Sequence, residues 1–124
     1  MPSKLAGLEP SVRRAAEWCL SVAQFYGVPV TVTSGYRSTE QQARLYRNYQ
    51  QCLATGEYGR TPRCQFPAAP PGSSSHNYGL AWDSVVGDPR YQDWWTYVRE
   101  LAGFQVLRND IIHAQVPDWQ RYVE

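Results

Sequence analysis

Apolar positions recur at three- and four-residue steps from Val12 through Ala15, Ala16, Cys19, Val22, Ala23 and Tyr26, which predicts an amphipathic helix with one buried face. Pro10 suits its first turn, where a missing N–H does no harm, and Gly27 its end. The period shifts to a short β-branched strand at Pro29-Val-Thr-Val-Thr33, closing in the turn Ser34-Gly-Tyr-Arg-Ser38. A second helix is expected from about Thr39, a plausible cap, to Leu53, with Gln42, Leu45, Tyr46 and Tyr49 on one face. Residues 54–75 turn to Gly, Pro, Ser and Thr, a long irregular segment of the kind that often forms a lid or binding loop.

Alternation returns at Tyr78–Val86, with Gly79, Ala81 and Asp83 on one face and Leu80 and Trp82 on the other. The small residues at 79 and 81 would leave room for a ligand beside Asp83. Asp88-Pro-Arg leads into a third helix over about Tyr91–Leu101, ended by Gly103. Phe104–Leu107 and Ile111–Gln115 read as a hairpin turning through Arg108-Asn-Asp110, and the tail from Asp118 would cover an edge. The order predicts an α+β fold: a small antiparallel sheet packed with about three helices.

Composition narrows this further. The 124 residues suit one domain spanning 1–124. A net charge of +1 argues against a nucleic-acid partner, and no apolar run reaches the ~20 residues of a membrane span. The first residues lack the apolar core of a signal peptide, so synthesis in the cytoplasm is expected, with delivery by other means if the substrate lies outside. Five Trp and nine Tyr are many for this length, and packing into the core is the expectation for them. Cys19 falls on the buried face of the first helix. Cys52 and Cys64 flank a loop that a disulfide would stabilise by ~3 kcal/mol, but reduced thiols are the expectation for a protein made in the cytoplasm.

Candidate chemistry gathers in two remote segments. Both histidines lie there: His76 in Ser73-Ser-Ser-His-Asn-Tyr-Gly-Leu-Ala-Trp-Asp83, and His113 in Asp110-Ile-Ile-His113. Two imidazoles and two carboxylates are the set a catalytic zinc site needs, three to hold the ion and one to move protons. The irregular segment beside His76 would form a wall of that site.

Ser34-Gly-Tyr-Arg-Ser38 with Gln42 and Leu45-Tyr46, then Pro71 to Asp83, then Asp110 to His113, together resemble the peptidoglycan-cleaving zinc peptidases. That family includes D-alanyl-D-alanine carboxypeptidases of the VanY and VanX kind and phage L-alanyl-D-glutamate endolysins, with the hedgehog/DD-peptidase fold. The resemblance runs from about Val12 to Gln115. It implies Zn2+ held by His76, Asp83 and His113, with Asp110 as general base and Arg37 holding the scissile carbonyl. Ser74, and with it Tyr36 and Gln42, would contact substrate, a peptidoglycan stem peptide. Other virion proteins are implied as further partners of a phage protein.

Two departures from the family pattern bear on function. The carboxypeptidases carry Glu at the base position, whereas this chain has Asp110, which is closer to the phage endopeptidases and favours an internal stem-peptide bond. Gln115 stands where many relatives have an acidic or aromatic residue, which leaves the support of His113 open. The competing expectation is a zinc-stabilised wall-binding or virion structural module without turnover.

Overall fold

The computed structural model describes residues 3–123; Met1, Pro2 and Glu124, the ends of the expected domain, lie outside the described residues. Helix α1 (Pro10–Phe25) opens on Glu9, whose carboxylate accepts from the amides of Ser11 and Val12 at 3.1 and 3.3 Å and so satisfies two free donors of the first turn. Its buried stripe is Val12, Ala16, Cys19 and Ala23; Tyr26, expected on that stripe, falls past the last turn and is 67% exposed. Strand β1 (Val30–Ser34) leads to α2 (Thr39–Thr55). The cap of α2 is Ser38 rather than Thr39. Its hydroxyl accepts from Gln41 N at 3.1 Å while the Gln41 side chain returns to Ser38 N at 2.9 Å, a reciprocal capping box.

Strand β2 (Ala81–Val86), helix α3 (Gln92–Leu101) and strands β3 (Gln105–Leu107) and β4 (Asp110–Gln115) complete the regular elements. All pairings are antiparallel, in the order β1-β2-β4-β3, so the fold is α+β with three helices, as expected. β2 starts later than the alternation suggested, because Ser75–Tyr78 is a single 3-10 turn ending on Gly79. One face of β2, through Trp82, Ser84 and Val86, packs with α1 and α3 to make the core. Trp82 meets Trp95 and Phe104 edge to face at 6.0 and 5.7 Å, and the Trp95 indole donates to Ser84 Oγ at 2.8 Å. The opposite face carries Asp83.

Two expectations about composition need correction. Trp82, Trp95 and Trp119 are core residues, but Trp18 and many tyrosines (among them Tyr26, Tyr36, Tyr97 and Tyr122) sit on the surface. Cys52 and Cys64 form a disulfide instead of standing as reduced thiols, because the turn Pro62–Cys64 brings the second cysteine back against the end of α2. Cys19 is the free, buried cysteine; burial pushes its thiol up to about 12.

Candidate metal centre and active site

The turn after β1 and the turn before β2 are built against each other. Gly35 is required because a Cβ there would lie 1.9 Å from the Lys4 carbonyl oxygen, so only a glycine lets the N-terminal turn pass. Gly79 has φ +70°, and a Cβ would meet the Glu9 amide nitrogen at 2.9 Å. It admits the N-terminal chain, not a ligand, which corrects the expectation of free space there. Arg37 N donates to the His76 carbonyl at 3.0 Å. Asn77 joins the two turns: its amide nitrogen donates to Arg37 O at 2.9 Å, and its oxygen accepts from Gly72 N at 3.0 Å.

Within this frame three ligand atoms converge. His76 Nε2 lies 3.0 Å from Asp83 Oδ1, His113 Nδ1 lies 3.2 Å from the same oxygen, and the two ring nitrogens are 3.1 Å apart. The register explains part of this, since Asp83 and His113 are cross-strand partners in β2 and β4. A tetrahedral zinc with ligands at about 2.0–2.1 Å has ligand–ligand edges of roughly 3.3 Å, so the donor set and its spacing fit that ion.

Each imidazole is held by its far nitrogen. His76 Nδ1 is 2.7 Å from the Gly35 carbonyl oxygen, which requires the proton on Nδ1 and leaves Nε2 free to coordinate. His113 Nε2 is 2.8 Å from Gln115 Oε1 and 3.4 Å from Ser75 Oγ. Gln115 therefore supplies the acceptor that was left open for His113. Burial acts to raise the Asp83 pKa, but the adjoining His113 and His76 imidazoles overcome it and hold the carboxylate below its ordinary range. Burial would lower His113, yet the Asp83 carboxylate carries it above the ordinary histidine value.

A cavity of about 390 Å³ opens beside the cluster, lined among others by Arg37, Asp83, Asp110, Leu45, Phe66 and Pro67. The segment 62–68 forms one wall, as expected, though it is less irregular than its composition suggests, being stapled to α2 by the disulfide. Arg37 Nη2 is 3.4 Å from Asp83 Oδ2, while Arg37 Nε and Asp110 Oδ1 are buried without a partner among the described residues. Burial and then the charge of Asp83 push the Asp110 carboxyl up, against the pull of His113, His76 and Arg37.

Of the three residues expected to touch substrate, Ser74 and Gln42 have local work in this structure. Ser74 Oγ accepts from His76 N at 3.2 Å and so shapes the ligand turn. Gln42 is buried and donates to Ala69 O at 2.8 Å, tying α2 to the long segment. Tyr36 is half exposed, its Cβ lying close to Gly7. Sequence reasoning passed over Asn77 and also Arg99, a fully buried cation of α3. The spacing Trp95, Val98, Arg99, Ala102 carried a signal for the latter, since it sets Arg99 on the apolar stripe.

Two imidazoles and a carboxylate, the last of them lining the open cavity, match the donor set that mononuclear metal centres use and could hold an ion. The chain matches the VanY family (D-alanyl-D-alanine carboxypeptidase) over residues 6–113 and belongs to that family. It is similar to the peptidoglycan L-alanyl-D-glutamate endopeptidase CwlK of Bacillus subtilis (strain 168), 35% identical over 93 residues covering 68% of this chain and 50% of CwlK. The chain thus spans about half the length of that relative. Among solved structures, a mutant of the vancomycin resistance D,D-pentapeptidase VanY from the VanB-type cassette, in complex with Zn(II), superposes with TM-score 0.66 at 21% identity (88% of this chain, 72% of that one). The L-Ala D-Glu endopeptidase ChiX of Serratia marcescens does so with TM-score 0.60 at 18% identity (98% and 88%). These two likenesses concern the fold. Among the described residues no helix is long and apolar enough to cross a membrane.

Proposed function

We propose that this chain is the catalytic domain of a zinc-dependent peptidoglycan peptidase that hydrolyses an amide bond of the cell-wall stem peptide. The bond favoured is L-Ala–D-Glu over a terminal D-Ala–D-Ala, on two grounds: aspartate at position 110, and the likeness to CwlK. One observation carries the reading. Asp83, which meets both histidines, lines one cavity with Arg37 and Asp110, and among the described residues Arg37 Nε and Asp110 Oδ1 are buried without a partner.

When bound by His76, Asp83 and His113, zinc would supply Lewis acidity, bringing the pKa of a coordinated water to about 7. The remaining work falls to the chain. Asp110 takes the proton of the attacking water at Oδ1 and returns it to the leaving amine nitrogen, which balances the hydrolysis. Arg37 directs its free Nε–H towards the scissile carbonyl and meets the negative charge that grows on its oxygen. The wall at 62–68 orients the peptide and keeps bulk water from the reacting bond. Lysis or delivery by a virion is the proposed route to the wall, on the likeness of Asp110 to the phage endopeptidases.

The test is digestion of purified cell walls of several chemotypes by the zinc-loaded protein, with mass spectrometry of the muropeptides to identify the new termini. New L-Ala carboxyl and D-Glu amino termini are expected, and Asp110→Ala should stop their release while keeping the metal. Tight binding of wall fragments without turnover would instead establish the non-catalytic module.

A further inference from the structure

Strand β4 does not run straight through the site. Side chains along a strand alternate, so Asp110 and His113, three residues apart, would point to opposite faces of a regular strand. Yet Asp110 shares its cavity with Asp83, whose carboxylate meets His113. A bulge resolves the conflict. β3 pairs Val106 with Ala114 and then Leu107 with Asp110, so one step on β3 spans four on β4. On the other side the β2 ladder ends at Asp83 and His113. Ile111 and Ile112 are thus left outside the ladders of both neighbours, between the proposed base and a proposed ligand.

The carbonyls of that bulge are taken by Arg99. Its Nη2 donates to Ile111 O at 2.9 Å, and its Nη1 to Ile112 O at 3.3 Å. Nε donates to Trp95 O and Nη2 also to Thr96 Oγ1, each at 3.3 Å, while the guanidinium stacks 5.6 Å from the Trp95 ring. The side chain has no solvent exposure, and its donors meet carbonyl and hydroxyl oxygens rather than a carboxylate. A buried cation is costly unless each donor is matched, and only a planar fork reaches two successive carbonyls at once. Regular strand pairing would have supplied those hydrogen bonds without a charge. The fork is what allows the strand to leave its ladders.

We propose that Arg99 is a positioning residue, which clamps the β4 bulge and so holds the Asp110 carboxylate on the His113 side of the strand. This rests on the reading of Asp110 as the base. His113, by contrast, is fixed by its pairing with Asp83, so loss of the clamp should separate catalysis from metal binding.

The experiment compares Arg99→Met, Arg99→Lys and Thr96→Val as full-length protein, measuring muropeptide turnover, zinc stoichiometry, and amide hydrogen exchange of the zinc-free protein. In Arg99→Met, kcat should fall about 10–100-fold with KM and zinc content unchanged, and exchange should rise at residues 110–113 but not in β1 or β2. Arg99→Lys should recover part of the loss and Thr96→Val should show a smaller one. Wild-type kcat in a folded Arg99→Met, or parallel loss of turnover, zinc and protection across the whole sheet, would overturn the proposal. If Arg99→Met does not fold, Thr96→Val and Arg99→Lys decide by the same readouts: lowered kcat at constant KM supports the clamp, and unchanged kcat and exchange refute it. If Asp110→Ala keeps full turnover, the base assignment fails by itself, while the exchange data still report whether Arg99 holds the bulge.

Discussion

The two ends of the site are finished to different degrees. At the ligand end each histidine has its far nitrogen engaged, His76 by a backbone carbonyl and His113 by Gln115. At the cavity end, Arg37 Nε and Asp110 Oδ1 are buried with no partner among the described residues. An unsatisfied buried polar atom costs about 1–3 kcal/mol, more when the group is charged, so folding alone gives no reason to keep two of them on residues that line one cavity. The difference separates what the chain completes by itself from what it leaves for a molecule outside it. On the proposed reading, the ligand end would hold an ion and the cavity end would receive a polar group that forms only during reaction.

The contrast breaks first at the ligand end. Chelation of the zinc-loaded protein, or His76→Ala, should remove turnover entirely and reduce bound zinc below one per chain, as read by elemental analysis. Full zinc occupancy in His76→Ala would sink the ligand assignment. At the cavity end the two properties should come apart. Asp110→Ala should lower kcat by about 10²–10⁴-fold, the range for a lost acid–base group, at unchanged zinc content. Arg37→Lys keeps the charge but loses the planar fork and should cost about 10²–10³-fold in kcat. Zinc loss in either cavity variant would erase the distinction between the ends.

A subtler probe lies in the support of His113. Gln115→Leu removes the acceptor at Nε2 and should weaken zinc binding by about 10–100-fold, measured by competition with a chelator. Gln115→Glu, which still accepts, should bind zinc at least as well as the natural residue. Equal affinities in all three would show that the 2.8 Å contact does not orient the ring.

Most of the ligand end was legible in the sequence because its signals are chemical and local. A protein with two histidines that places each near an aspartate limits the choices, and alternation along β2 fixed the face that Asp83 shares with its cross-strand partner. The second half of the site was harder to read. Gly35 and Gly79 are explained by the N-terminal chain crossing behind them, a contact between segments far apart in sequence. The bulge in β4 has no glycine to mark it, and its hydrogen bonds come from a helix residue 12 and 13 positions away. Tyr26 was misplaced because a period of 3.6 carries no information about where the helix stops, and Gly27 follows it too closely to leave another turn.

The smallest expected effect on the chemistry comes from the disulfide, and it tests whether the cavity wall belongs to the reactive end. Cys52–Cys64 closes a separation of 12 residues, which by loop entropy contributes about 2–3 kcal/mol to stability. Denatured protein should show one titratable thiol, that of Cys19, and reduction should expose two more. Since Cys64 anchors the wall at 62–68 while the ligands sit on β2, β4 and the turn before β2, Cys52→Ser should lower the denaturation midpoint and leave zinc affinity as it was. KM should rise a few-fold as the wall loosens, with kcat nearly constant, because Asp110 and Arg37 are held by other elements. If kcat fell as far as KM rose, the wall would be part of the reacting constellation, and the boundary between the two ends would have to be drawn around the loop as well.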